Sequence, residues 1–311
     1  MKLVNSDQNP EPAPNPTPNP APNPTPEPTP NPEPNPKPNP NPPKPVQGTA
    51  PEISDLVEMK EEIATVDALN MRYKDLNTLL KSISNNPVKE IHVKNVFGQR
   101  YIGTGFRNNI AIHIYGTPGN DLATFMDGPT IYVHGNAQDA LGNTMNGGKV
   151  IVYGNAGDIT GYSMRGGKIF IRGDVGYRVG IHMKEGGSLK PIMVIGGTAQ
   201  DFLGEYMAGG VLVVLGLTLK EGETHKAKFV GTGMHAGTIY VRGKVFHTGS
   251  DVKELQLDEK DKDLLKPLIE EFCCYFDLNP ERIPLDQFIK LVPASKRPYG
   301  ELYATKKTEG A

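Results

Sequence analysis

The chain has 311 residues, with 33 basic against 35 acidic side chains and a formal charge of −2. That balance leaves no net basic footprint for a nucleic-acid partner, and no apolar run approaches the length of a membrane span. The two cysteines, Cys273 and Cys274, are neighbours, so one chain supplies neither a disulfide framework nor a four-thiolate zinc or iron–sulfur site. The opening Met1-Lys2-Leu3-Val4-Asn5 turns polar before a signal-peptide core forms. The sequence therefore reads as a soluble, cytoplasmic protein.

Residues 1–50 form the first segment. Of 29 prolines in the chain, 19 lie between Pro10 and Pro45, alternating with Asn, Thr, Glu, Ala and Lys. Proline fixes φ, removes a donor and extends the residue before it. The expectation is a solvated polyproline-II-like spacer of about 3.1 Å per residue, with almost nothing apolar to bury. Residues 51–98 are expected to form a helical N-terminal cap. Leu76, Leu79, Leu80 and Ile83 recur at helical spacing, and solenoids need their open ends covered.

Residues 99–250 carry 31 of the 35 glycines and an internal repeat. Gly116, Gly135, Gly154 and Gly173 stand 19 residues apart; Gly197, Gly216 and Gly243 follow after 24, 19 and 27. Each unit opens on alternating apolar residues, as in Ile131/Val133, Val150/Val152 and Ile169/Ile171. Period-two alternation puts each pair on one face. The intervening Tyr132, Ile151, Phe170, Val194, Val213 and Tyr240 are then expected to face outward. A unit with four or five glycines makes a poor helix, and it is too short for a propeller blade of about 40 residues. An all-β core remains: a right-handed parallel β-helix, a single-stranded solenoid of about seven rungs. Met126, Met145, Met164, Met183, Met207 and Met234 recur at one repeat position and read as a core stack. Residues 251–311 are expected to form a C-terminal helical extension, with Leu264, Leu265, Leu268, Ile269, Phe272 and Phe276 on one stripe and both cysteines buried. This part covers the far end or lies along the side of the solenoid.

Within the units runs a G-x-x-G-x-x-x-G pattern, complete at Gly154-Gly157-Gly161 and at Gly173-Gly176-Gly180. With stretches such as Gly116-Thr117-Pro118-Gly119-Asn120-Asp121, Gly180-Ile181-His182-Met183-Lys184 and Lys296-Arg297-Pro298-Tyr299-Gly300, this resembles the glycine-repeat (GXGXG) domain at the C-terminus of the glutamate synthase large subunit, in stand-alone form. The resemblance spans roughly residues 60 to 305. It implies a non-catalytic structural subunit, with no catalytic residue, metal or cofactor of its own. Such a subunit docks a glutamine amidotransferase and a synthase subunit carrying FMN and iron–sulfur clusters, and supports the ammonia tunnel between them. The other relative to consider is the β-helical subunit of another oxidoreductase, of the formylmethanofuran dehydrogenase type. Residue 2 is Lys2, so no N-terminal cysteine nucleophile is expected.

Four further groups carry candidate chemistry. Arg165, Arg172, Tyr177 and Arg178 form either a solvated face or part of a partner interface, where Arg and Tyr are enriched. Asp121, Asp139, Asp158 and Asp201 are read at one repeat position, as an acidic row or as turn caps. His113 and His134 are placed one above the other on an outer face, too few for a metal site. Gly231 to Gly237 has a nucleotide-loop look but is followed by another strand pattern rather than a helix.

Overall fold

A computed structural model describes residues 57–294. The proline-rich segment and the Lys296–Gly300 stretch lie outside the described residues. The core is a parallel β-helix, built on one twelve-stranded sheet whose order follows the chain up to its C-terminal edge. The strands are β1 (Val57–Lys60), β2 (Ile63–Asp67), β3 (Glu90–Phe97), β4 (Ala111–Thr117), β5 (Thr130–His134), β6 (Lys149–Val152), β7 (Lys168–Ile171), β8 (Ile192–Ile195), β9 (Ala208–Val214), β10 (Ala236–Arg242), β11 (Val252–Leu255) and β12 (Phe288–Pro293). Strands β2 to β10 pair in parallel, and the register stacks repeat on repeat: Ile131 on Val150, Val150 on Ile169, Ile169 on Met193. Both edges are finished by antiparallel strands, β1 on β2 at one end and β12 with β11 on β10 at the other.

The region read as a helical cap therefore holds three strands beside its helix, α1 (Tyr73–Ser84). Strands β2 and β3 are rungs ahead of the first anchor glycine. Helix α1 buries Leu76, Leu79, Leu80 and Ile83 in the same core as Val66, Ile91 and Val93. That core runs the length of the solenoid. Met126, Met145, Met164, Met183 and Met207 are fully buried in it, and Met234 almost so.

A second core lies on the opposite face of the sheet and corrects the outward assignment made from alternation. Ile151, Phe170, Val194, Val213 and Tyr240 are buried, because helix α2 (Glu259–Phe276) lies across them with Leu265, Leu268, Ile269, Phe272, Cys273 and Phe276. Strands covered on both faces read as continuous apolar runs, here Val150-Ile151-Val152 and Ile169-Phe170-Ile171. The helix starts on a reciprocal capping box between Asp258 and Asp261 and passes unbroken through Pro267. Interior proline costs about 3 kcal/mol, an amount the buried stripe offsets, since each fully buried large side chain contributes about 1.5–3 kcal/mol. Glu271 ties the helix to the sheet, receiving Lys149 at 2.6 Å and Lys168 at 2.5 Å. Near its start, Asp261 accepts from Tyr240 Oη at 2.6 Å and pairs with Lys290 at 2.7 Å. Of the two cysteines, Cys273 is buried and Cys274 is exposed, as one residue step on a helix turns the side chain off the packed face.

Candidate partner interface

The turns between strands show what the glycine pattern does. Asn136 Oδ1 accepts the Asn155 N–H at 2.8 Å, and Asn155 Oδ1 accepts the Asp174 N–H at 2.8 Å. Three residues on, Asp139 Oδ1 accepts the Asp158 N–H at 3.0 Å and Asp158 Oδ1 accepts the Tyr177 N–H at 2.8 Å. Side-chain oxygens thus stitch each rung to the next where the strand ladder has ended. A Cβ at Gly154 or Gly173 would overlap the stitching Asn oxygen; one at Gly157 or Gly176 would overlap the Asp oxygen. The third glycine serves differently. Gly161 and Gly180 have φ of +73° and +72°, and a Cβ on Gly180 would lie 2.7 Å from Leu212 Cδ1 in the core.

The aspartates accordingly belong to the framework. Asp201 Oδ1 likewise accepts the Lys228 N–H at 2.8 Å. Asp121 is one position out of register with the others. It aligns with Ala140, at positive φ, and its carboxylate takes Asn143 Nδ2 at 3.0 Å. A pocket of about 220 Å³ near the Thr218–Lys226 loop is lined by Asp174, Thr198, Gln200, Thr218, Glu223 and Lys226. Asp174 Oδ1 is already engaged by the Thr198 and Thr218 hydroxyls at 3.0 and 2.7 Å.

Outside this framework the turns carry an aromatic and arginine stripe. Residues just after the stitching position, which is Asp in three of these rungs, Tyr177 in one and Lys228 in one, adopt positive φ in rung after rung: Ala140, Ile159, Arg178, Phe202 and Phe229. The left-handed backbone repeats at this position. Phe202 and Phe229 stack at 5.1 Å, and Phe229 meets His247 edge-on at 4.7 Å. The Arg178 guanidinium lies 4.7 Å from the Phe202 ring and pairs with Glu205, whose side chain is only 7% exposed. Next to Glu205, Tyr206 stacks on His182 at 5.4 Å, and His182 meets Tyr162 at 6.0 Å. Tyr162, Tyr177, Tyr206 and Phe229 keep between 37 and 49% of their surface exposed. Large aromatic rings held in place by stacking, beside an arginine, are the composition of protein-interface anchors.

All four residues singled out by sequence, Arg165, Arg172, Tyr177 and Arg178, are exposed. Tyr177 and Arg178 sit in the turn that carries the stripe. Arg165 lies ahead of β7 and Arg172 directly after it, so they flank the strand rather than join the turn. Sequence reading missed Phe202, Tyr206, Phe229 and His182. The signal is the repeat column of Ala140, Ile159, Arg178, Phe202 and Phe229, which appears only when the rungs are aligned through both insertions.

The outer sheet face beyond the end of α2 holds a second cluster. His92, His113 and Tyr132 stack in one column at 4.9 and 4.6 Å. Tyr115, His134 and Tyr153 stack in the next at 4.5 and 5.2 Å. His113 and His134 therefore stand in adjacent columns, joined diagonally at 3.1 Å; the ring above His113 is His92. Burial pushes both His113 and His134 below the usual histidine range, with Glu90 opposing this at His113. Among the described residues, no group of three or more His, Cys, Asp or Glu is placed to hold a metal ion, and no helix is long and apolar enough to cross a membrane.

The glycine repeat matches a known family. The model of the GXGXG motif family covers residues 74–296. The chain is also 48% identical over 254 residues to Uncharacterized protein MJ1350 of Methanocaldococcus jannaschii, an alignment covering 78% of this chain and 97% of that protein. The glycines that make room for the Asn and Asp oxygens lie inside the matched region, and the chain belongs to the GXGXG motif family, the glutamate synthase-associated domain.

Proposed function

We propose that this chain is a non-catalytic structural subunit of a glutamate synthase-type complex, docking a glutamine amidotransferase subunit and an FMN/iron–sulfur synthase subunit. Family membership supports the association, and the observation that carries the docking role is the exposed stripe of Tyr162, Tyr177, Arg178, Tyr206 and Phe229 on a stitched, stacked framework. The mechanism is positional. A parallel ladder fixes successive rungs at about 4.8 Å, so side chains on the turns hold fixed spacings and the partner meets a preorganised surface. Ammonia released at one partner's site then reaches the other through a channel whose geometry this subunit helps to set. FMN and the clusters belong to the synthase partner.

The test is affinity purification of the tagged full chain from its own cells, in parallel with Tyr206→Ala and Phe229→Ala. The reading expects both partner chains with the wild type and at least a tenfold loss of one of them with the variants, since central aromatic anchors contribute about 2 kcal/mol or more. Recovery of neither partner by wild type, or equal recovery by all three proteins, contradicts it.

A further inference from the structure

We propose that Glu90, His113 and His134, with His92 and Tyr115, form a proton-operated latch on the first rungs of the solenoid, closed when the imidazoles are neutral and released when His113 and His134 both carry a proton. The latch is independent of the docking role.

Hydrogen-bond directions in this cluster form a consistent set. Glu90 Oε1 lies 2.5 Å from His92 Nε2 and 3.4 Å from His113 Nε2. A carboxylate only accepts, so His92 presents Nε2–H to it, while His113 Nε2 at 3.4 Å lies within ion-pairing reach without a hydrogen bond. His92 Nδ1 is then an acceptor. His92 Nδ1 faces Tyr115 Oη at 3.1 Å, and His113 Nδ1 faces His134 Nε2 at 3.1 Å. The tyrosine donates to His92, and between His113 and His134 one ring nitrogen donates and the other accepts. Three neutral histidines and one ionised glutamate leave every contact paired.

One added proton is tolerated. With the proton on His113, its Nδ1–H donates to His134, which accepts through Nε2 with its own proton on Nδ1. A second proton is not tolerated, because two imidazolium N–H groups then face each other at 3.1 Å with like charge. Stacking worsens this, since His92 lies 4.9 Å from His113 with rings nearly parallel.

The surroundings supply one compensating charge. On β3, Glu90 faces the His92–His113 column, and Lys94 is the next residue but one after His92 on the same strand. Beside Glu90, Glu62 is occupied by Lys89, and on β2 Asp67 is occupied by Asn95. Strands β4 and β5 add Tyr115 and Tyr132, and Tyr153 follows β6 directly. Helix α2 adds Tyr275 against Tyr132, while Lys149 is held by Glu271. Among the described residues, Glu90 alone is placed to offset the first proton, and no second carboxylate faces the pair to offset the other.

The test is a side-chain NMR titration of the full chain from about pH 8 to about pH 5, spanning the range in which histidine charges. It is paired with amide hydrogen exchange of β3–β5 against β8–β10, corrected for intrinsic rates. The latch expects His113 and His134 to titrate as a coupled pair. Protection in β3–β5 should fall about tenfold across the second step, with β8–β10 unchanged. In His134→Asn, His113 should titrate as a single site and the acid-induced loss should vanish. In Glu90→Gln, which keeps the fold's size and shape at that position, the first step should move to lower pH. Independent titration of the two histidines, or the same loss of protection in every strand, overturns the proposal.

Discussion

Each stitching oxygen occupies the space a side chain would fill on the rung above, and a double-mutant cycle at Asp158 and Gly176 measures this. Asp158→Ala removes the 2.8 Å bond to the Tyr177 N–H. That amide is on an exposed turn and regains water, so the loss should be about 0.5–1.5 kcal/mol. Gly176→Ala adds a methyl that overlaps Asp158 Oδ1 and comes within 2.8 Å of the Asp158 nitrogen. Gly176 has no positive φ to forbid alanine, so the cost is steric, about 1–3 kcal/mol for an overpacked contact. Combined, the two changes should cost less than their sum by about 1 kcal/mol, because removing the carboxylate frees part of the methyl's space. The backbone contact remains, so the double variant stays less stable than wild type. Urea denaturation followed by circular dichroism gives the three values. Strict additivity would refute the claim that Gly176 exists to accommodate Asp158.

Three further outcomes follow from α2 and its cysteines. Phe272→Ala should cost about 3–5 kcal/mol and raise hydrogen exchange along α2, since Phe272 is fully buried against the sheet; a loss under 1 kcal/mol would contradict that packing. The Glu271 carboxylate is raised by burial but brought net below its usual range by hydrogen bonds from Lys149 and Lys168. Its contribution is therefore present above the unfolded carboxylate value and lost as pH falls through the lower folded value. Glu271→Gln should cost about 1 kcal/mol at neutral pH and nothing at acid pH, as paired stability curves will show. In the folded chain iodoacetamide should label Cys274 alone, because Cys273 is buried and burial pushes its thiol up; mass spectrometry showing two adducts before unfolding would be inconsistent with the helix register.

The repeat was legible because its period is set by hard constraints: a glycine wherever an oxygen or the core needs the space, and a methionine at each interior corner. The β2 and β3 rungs were not. Lys94 and Asn95 form an irregularity between Val93 and Val96, which stretches that unit and hides it from the 19-residue period. The continuous apolar runs at Val150–Val152 and Ile169–Ile171 signal a strand covered on both faces, whereas Ile112-His113-Ile114 and Ile131-Tyr132-Val133 signal one covered on a single face. The switch between the two marks where α2 ends. Strand β12 pairs antiparallel with β10 from 46 or more positions away, a long-range contact without a local pattern. Stripe residues such as Phe202 and Phe229 escaped notice because the same column holds Ala140, Ile159 and Arg178 in the earlier rungs, and stacking alone makes them a surface.

The central claim is that this chain organises chemistry carried by others. Its most direct test is glutamine-dependent glutamate formation from 2-oxoglutarate, assayed with the amidotransferase and synthase chains alone, with this chain alone, and with all three. The account expects no ammonia and no glutamate from the isolated chain, and a large rise in coupled glutamate formation when it joins the other two. Hydrolysis of glutamine by the chain alone, or full coupled activity without it, would contradict the account.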